Sequence, residues 1–173
     1  LISKDFNPRS SYLLSKIVGE YLINYSGLNF VIFRPHNIFG PQMGFAHVIP
    51  QLTEKMLKYD NKKIIIHNSK HKRTFCNINF AIELIFNISH KKNLTKKTFN
   101  IGSPDKEISI MQLSQKIKKI LNSKNQLISS VSQKNNSPEK RKPDMKRSLA
   151  HTRLQHDFDK GLKETVLWYK DYF

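Results

Sequence analysis

Cysteine is nearly absent: Cys76 stands alone among 173 residues. A lone thiol excludes an internal disulfide and a thiolate metal cluster, and it suits a reducing compartment. Long apolar runs are missing too. No window approaches the roughly 18 residues needed to cross a bilayer, and the N-terminus lacks the charged-then-apolar layout of a signal peptide, so a cytoplasmic location is expected. Acidic residues are few, 13 against 30 basic, for a formal charge of +17. Such an excess would suit a nucleic-acid binder. Arginine, however, supplies only 6 of those 30, and the 24 lysines are scattered through every segment beside 15 asparagines. No basic stripe interleaved with aromatics emerges, which argues against a nucleic-acid groove.

What is present alternates between helix and strand patterns. From Ser10 to about Tyr25, Leu13, Leu14, Ile17, Val18, Tyr21 and Leu22 recur at three-to-four spacing. They predict an amphipathic helix capped by Ser10 or Ser11 and stopped by Gly27. Phe30 to Pro35, FVIFRP, reads as a strand buried on both faces. A helix is expected from about Ile49 to Leu57, then strands at KKIIIH and RTFCNI, a helix over Phe80 to Ile88, and a strand TFNIG. The next helix places Ile110, Leu113, Ile117, Ile120 and Leu121 on one face. A strand at LISSVS, a Pro-broken polar loop SQKNNSPEKRKPD, and helices over Met145 to Leu154 and Leu162 to Tyr169 complete the chain. Helix and buried strand joined by short turns are the units of a parallel α/β sheet.

Tyr12 and Lys16 are four residues apart and share a helix face. A phenol is a poor base at neutral pH, and a nearby ammonium stabilises the phenolate. With 24 lysines in 173 residues, about one tyrosine of the six should meet a lysine at this spacing by composition alone. Tyr59 and Lys63 are a second such pair, but they straddle YDNKK, a break between helix and strand. Tyr12 lies instead in a well-formed helix that leads into RPHNIFGP. A helix tyrosine packed at the edge of the core is the alternative reading. His67 and His71 lack a third ligand, so no metal site is expected.

PRSSYLLSKIVGEYL, GLNFVIFRPHNIFGPQMG, HVIPQL, KRTFCNI, TFNIGS, KRKPDMKRS and GLKETVLWY follow one another at plausible intervals. Together they resemble the C-terminal part of an extended short-chain dehydrogenase/reductase. Within that superfamily they are similar to the NAD-dependent nucleotide-sugar epimerase/dehydratase family, such as UDP-glucose 4-epimerases and UDP-glucuronate decarboxylases.

The resemblance implies the C-terminal part of a Rossmann-type doubly wound sheet plus a small α/β substrate-binding domain. Residues 1–44 would belong to the NAD-binding domain and 45–173 mainly to the nucleotide-sugar domain, with segments near 73–102 returning to the Rossmann sheet. The family's YxxxK falls on Tyr12, the general base, and Lys16, which would also hold the nicotinamide ribose. Pro35 and His36 would lie beside the cofactor and Asn37 on the substrate. His47, Val48 and Ile49 resemble the segment lining the nucleotide, and Arg73 and Arg141 would clamp the diphosphate. Arg34 would be structural. The family often pairs through the tyrosine helix, so a homodimer is expected.

There are departures. Where the family commonly has two acids after the arginine strand, this chain has Asn79 and Phe80, and the helix cap would survive through Asn79. No GxxGxxG occurs, and the family's catalytic Ser/Thr is missing. The chain also opens on Leu1 rather than methionine. It is therefore read as part of a longer protein, inactive alone, whose first half would lie in the same chain or in a separate one. Its expected reaction is epimerisation of a UDP-sugar through a 4-keto intermediate, with 4,6-dehydration or decarboxylation as alternatives. Rivals of another class are a basic nucleic-acid-binding module and an inactive dimerising remnant.

Overall fold

The computed structural model describes residues 8–59, 61–130 and 140–173. The first helix, α1 (Pro8–Tyr25), is already under way at Pro8, so Ser10 and Ser11 lie inside it rather than capping it. Gly27 at φ +74 turns the chain out of the helix, a backbone region that a side chain would strain. Strand β1 (Val31–Pro35) follows and pairs in parallel with β6 (Lys97–Ile101), with Phe33 opposite Phe99. Burial on both faces was expected for β1. Instead Arg34 and Pro35 are exposed and the other three residues half-buried, because β6 is its one ladder neighbour among the described residues.

The expected RTFCNI strand divides in two. Strand β4 (Lys72–Arg73) joins a small sheet between β7 (Ile108–Ser109), antiparallel, and β9 (Lys140–Arg141), parallel. Strand β5 (Cys76–Asn77) leaves it to pair with β2 (Ile38–Phe39). Between them Phe75 turns into the core against Phe39 and Phe158, with ring centroids 6.4 and 6.2 Å away. Burial of that ring accounts for the break.

Asn77, not Asn79, caps α3 (Ile78–Ser89): its side-chain oxygen accepts the Asn79 N–H at 2.7 Å. Strand β3 (Lys63–His67) pairs in parallel with β8 (Gln126–Ser130). Helix α2 (Val48–Lys58) matches its expected span closely, and α4 (Ile110–Leu121) opens on a reciprocal Ser109–Gln112 capping box. The helix expected over Met145 to Leu154 is a single turn, α5 (Lys146–Leu149), and the last helix is longer than expected, α6 (Phe158–Tyr172), capped by Asp157. Most of the SQKNNSPEKRKPD loop lies outside the described residues.

Two apolar clusters result. One gathers Phe39, Ile49, Leu52, Ile64, Ile66, Leu113, Ile117, Leu162 and Val166, where α2, α4 and α6 pack pairwise beside β3 and β8. The other joins Phe80, Leu84, Ile88, Phe99, Ile101 and Met145 around β6, α3 and α5. Helix α1 belongs to neither. Its Leu13, Leu14, Ile17, Val18, Tyr21 and Leu22 are exposed.

Candidate functional site

On α1 the four-residue spacing brings Lys16 Nζ to 5.4 Å from the centre of the Tyr12 ring, within cation–π range. Tyr12 is 61 % exposed, so its phenol is open to solvent rather than packed at the edge of a core. The Tyr59 and Lys63 pair has no such geometry, since Tyr59 ends α2 and Lys63 begins β3.

Pro35 and His36 lie at the carboxyl end of β1, the end at which open α/β sheets bind ligands. The His36 N–H donates to the Ile101 carbonyl at 2.8 Å, extending the β1–β6 ladder by one residue. Gly102 is required here: a Cβ on it would fall 2.7 Å from Pro143 Cγ and 3.2 Å from His36 Cβ.

Asn37 follows in the left-handed region, φ +44, which asparagine tolerates better than most residues. Two bonds hold it to the segment after β4. Its Nδ2 donates to the Thr74 carbonyl at 3.0 Å, and its own carbonyl accepts the Cys76 N–H at 3.0 Å. One amide hydrogen expected for a substrate is thus engaged within the protein. Asn37, His47 and Val48 line one cavity of about 80 Å³ with Phe39, Met43 and Phe75. Ile49 lines the same cavity from the core side, where it is fully buried.

Arg73 is half-buried on β4, where its guanidinium donates to the Lys72 carbonyl at 2.6 Å. Arg141 is its register partner on β9, which puts the two backbones one strand apart, about 4.8 Å. The Arg141 side chain lies outside the described residues. Arg34 turns back to α1 and donates to the Glu20 carboxylate.

The expected residues therefore fall into four groups: Tyr12 with Lys16, Pro35 with His36 at the end of β1, Asn37 with His47 and Val48, and Arg73 beside Arg141. Asn37 ties the third group to the fourth through Thr74. The sequence does not signal a further pair behind β5, the buried His156 with the partly exposed Asp105. Its partners are 51 residues apart, so no local spacing marks them.

The chain matches the model of the NAD dependent epimerase/dehydratase family over residues 1–102. It belongs to that family. A curated relative, the bifunctional polymyxin resistance protein ArnA of Wigglesworthia glossinidia brevipalpis, is 36 % identical over 126 residues, covering 67 % of this chain and 19 % of ArnA. Among solved structures, an epimerase from Methanothermobacter thermautotrophicus superposes with a TM-score of 0.81 at 15 % identity, covering 99 % of this chain and 52 % of that one. The UDP-glucose 4-epimerase of Thermotoga maritima, solved with UDP-glucose, gives 0.73 at 19 %, covering 94 % and 52 %. The dTDP-glucose 4,6-dehydratase of Bacillus anthracis, solved with NAD, gives 0.75 at 19 %, covering 96 % and 53 %. The fold of this epimerase/dehydratase chain is thus the Rossmann-like α/β fold of those enzymes, of which it spans about half the length. The family is NAD-dependent.

Proposed function

We propose that this chain carries the catalytic tyrosine–lysine pair and the sugar-nucleotide side of an NAD-dependent nucleotide-sugar epimerase/dehydratase, most simply a UDP-sugar 4-epimerase. The observation that carries the reading is the exposed Tyr12 phenol with the Lys16 ammonium 5.4 Å from its ring.

In this reading residues 1–44 belong to the cofactor-binding domain and residues 45–173 mainly to the substrate domain, with the segments near 73–102 returning to the first. The two apolar clusters support the division in the main, although Phe39 and Phe75 join the substrate-side cluster and Met145 the other.

The residues present fit one end of the cofactor. Pro35 and Arg34 are exposed at the carboxyl end of β1. Pro35 and His36 would border the nicotinamide there, and Lys16 would donate to its ribose hydroxyls. Nothing in the sequence supplies a glycine-rich cradle for the pyrophosphate, so that part must come from elsewhere. NAD, when bound, supplies the hydride acceptor.

Tyr12 accepts the proton of the sugar C4 hydroxyl. The Lys16 ammonium offsets the negative charge that develops on the phenol oxygen. Asn37, His47 and Val48 border the sugar nucleotide, and Arg73 with Arg141 meets the diphosphate, a task suited to planar guanidinium groups. Epimerisation, 4,6-dehydration and decarboxylation share the 4-keto stage and diverge through residues beyond these. The bare apolar face of α1 supports pairing of two copies through this helix.

The decisive experiment joins this chain to an N-terminal half bearing a glycine-rich strand–loop–helix and measures turnover of UDP-glucose with NAD. Tyr12→Phe should cut kcat by about a hundredfold or more without changing the melting temperature. Undiminished turnover in the variant would remove Tyr12 from the chemistry. Tighter binding of duplex DNA than of UDP by the chain alone, at physiological salt, would favour a nucleic-acid module.

A further inference from the structure

Behind the Asn37 and Arg73 segment lies a histidine whose two ring nitrogens are both engaged. The His156 side chain is fully buried, and its Nε2 accepts the backbone N–H of Asn77 at 2.9 Å. An accepting Nε2 places the proton on Nδ1, which donates to Asp105 Oδ2 at 2.6 Å. Ser103 Oγ lies 3.4 Å from the same Nδ1 and accepts the Asp105 N–H at 3.1 Å, fixing the loop that presents the carboxylate. The Phe80 ring meets the imidazole edge-on at 5.1 Å. Gly161, on the first turns of α6, lets that helix close on Asn77: a Cβ there would sit 1.6 Å from Asn77 Nδ2.

The imidazole thus bolts together three separate stretches: the loop after β6, the end of β5, and the approach to α6. Its hold on Asn77 reaches the site through two residues of backbone. Cys76, the neighbour of Asn77, donates to the Asn37 carbonyl, and Thr74, two residues further back, accepts from the Asn37 amide. Arg73 is next in line. Asn77 also caps α3 through its side chain, so its backbone N–H could not turn elsewhere without disturbing that helix start.

We infer that His156, braced by Asp105, is a positioning residue that sets the placement of Asn37 and Arg73 by fixing the β5 backbone at Asn77. This rests on the reading of Asn37 and Arg73 as sugar-nucleotide contacts. Its role needs an acceptor at the Nε2 position and a donor at the Nδ1 position. Glutamine can supply the first and asparagine the second, so the two replacements separate the functions.

The test measures UDP affinity by titration calorimetry, together with melting temperature, for the chain and for His156→Gln and His156→Asn. With glutamine still accepting from Asn77, affinity should remain within about threefold; with asparagine it should fall about tenfold. A purely structural histidine would lower the two melting temperatures together and leave the affinity of the folded protein unchanged, which would overturn the inference. Should His156→Asn fail to fold, Asp105→Asn, at a carboxylate 40 % exposed, takes its place with a smaller loss expected. Equal affinity in that variant would equally overturn the role. No UDP binding by the unaltered chain would overturn the substrate reading itself, and the positioning role with it.

Discussion

Glu20 and Arg34 join α1 to β1 through a two-pronged ion pair, with Arg34 Nε 2.7 Å from Glu20 Oε1 and its Nη2 bonded to Oε2. The hydrogen bond from Arg34 holds the Glu20 carboxyl below its usual range, and burial opposes the shift only in part. A depressed carboxylate stabilises the fold above its unfolded titration range, and that contribution is lost as pH falls through the lowered folded value. Glu20→Gln should therefore weaken the attachment of α1 at neutral pH and remove this acid-dependent loss. Arg34 is 54 % exposed, so the effect on stability should stay under about 1 kcal/mol and shrink with added salt. Urea melts across pH and ionic strength measure both.

Cys76 is fully buried on β5. Burial, assisted by the negative charge of Asp105, pushes its thiol up to about 12. The thiolate is the reactive form, so in the folded protein a disulfide reagent should label this cysteine negligibly at about pH 8 and label it fully in denaturant. Rapid labelling of the native chain would contradict the packing around β5.

Leu162 on α6 is fully buried in the cluster that also holds Ile49, Leu113 and Ile117. Truncation there leaves a void among three helices. Leu162→Ala should cost roughly 2–5 kcal/mol in a urea or thermal melt. The exposed Leu13→Ala on α1 should cost far less, a contrast that separates the packed core from the bare helix.

Much of this architecture is legible in the residues because periodicity reports local burial directly. Leu113 and Ile117 are spaced for one helix face and are the two fully buried apolar side chains of α4. The Tyr12–Lys16 geometry follows equally from a four-residue interval within one helix. What escapes local reading depends on partners distant in sequence. RTFCNI carries a continuous strand pattern, yet its two ends choose different neighbours, β9 and β2, and Phe75 is drawn inward between them. The capping role passes to Asn77 because the helix starts at Ile78, two residues earlier than the apolar pattern indicates. His156 is silent in the sequence, since its meaning comes from Asp105 and Asn77, 51 and 79 positions away.

The outward leucines and tyrosines of α1 have a dynamic consequence. An 18-residue helix with little packed against it is only marginally stable in water, so its amide protons should exchange with deuterium far sooner than those of α2, α4 or α6. Tyr12 and Lys16 ride on that segment. Any surface that settles onto its apolar side will slow this exchange and hold the phenol and the ammonium in register at the same moment.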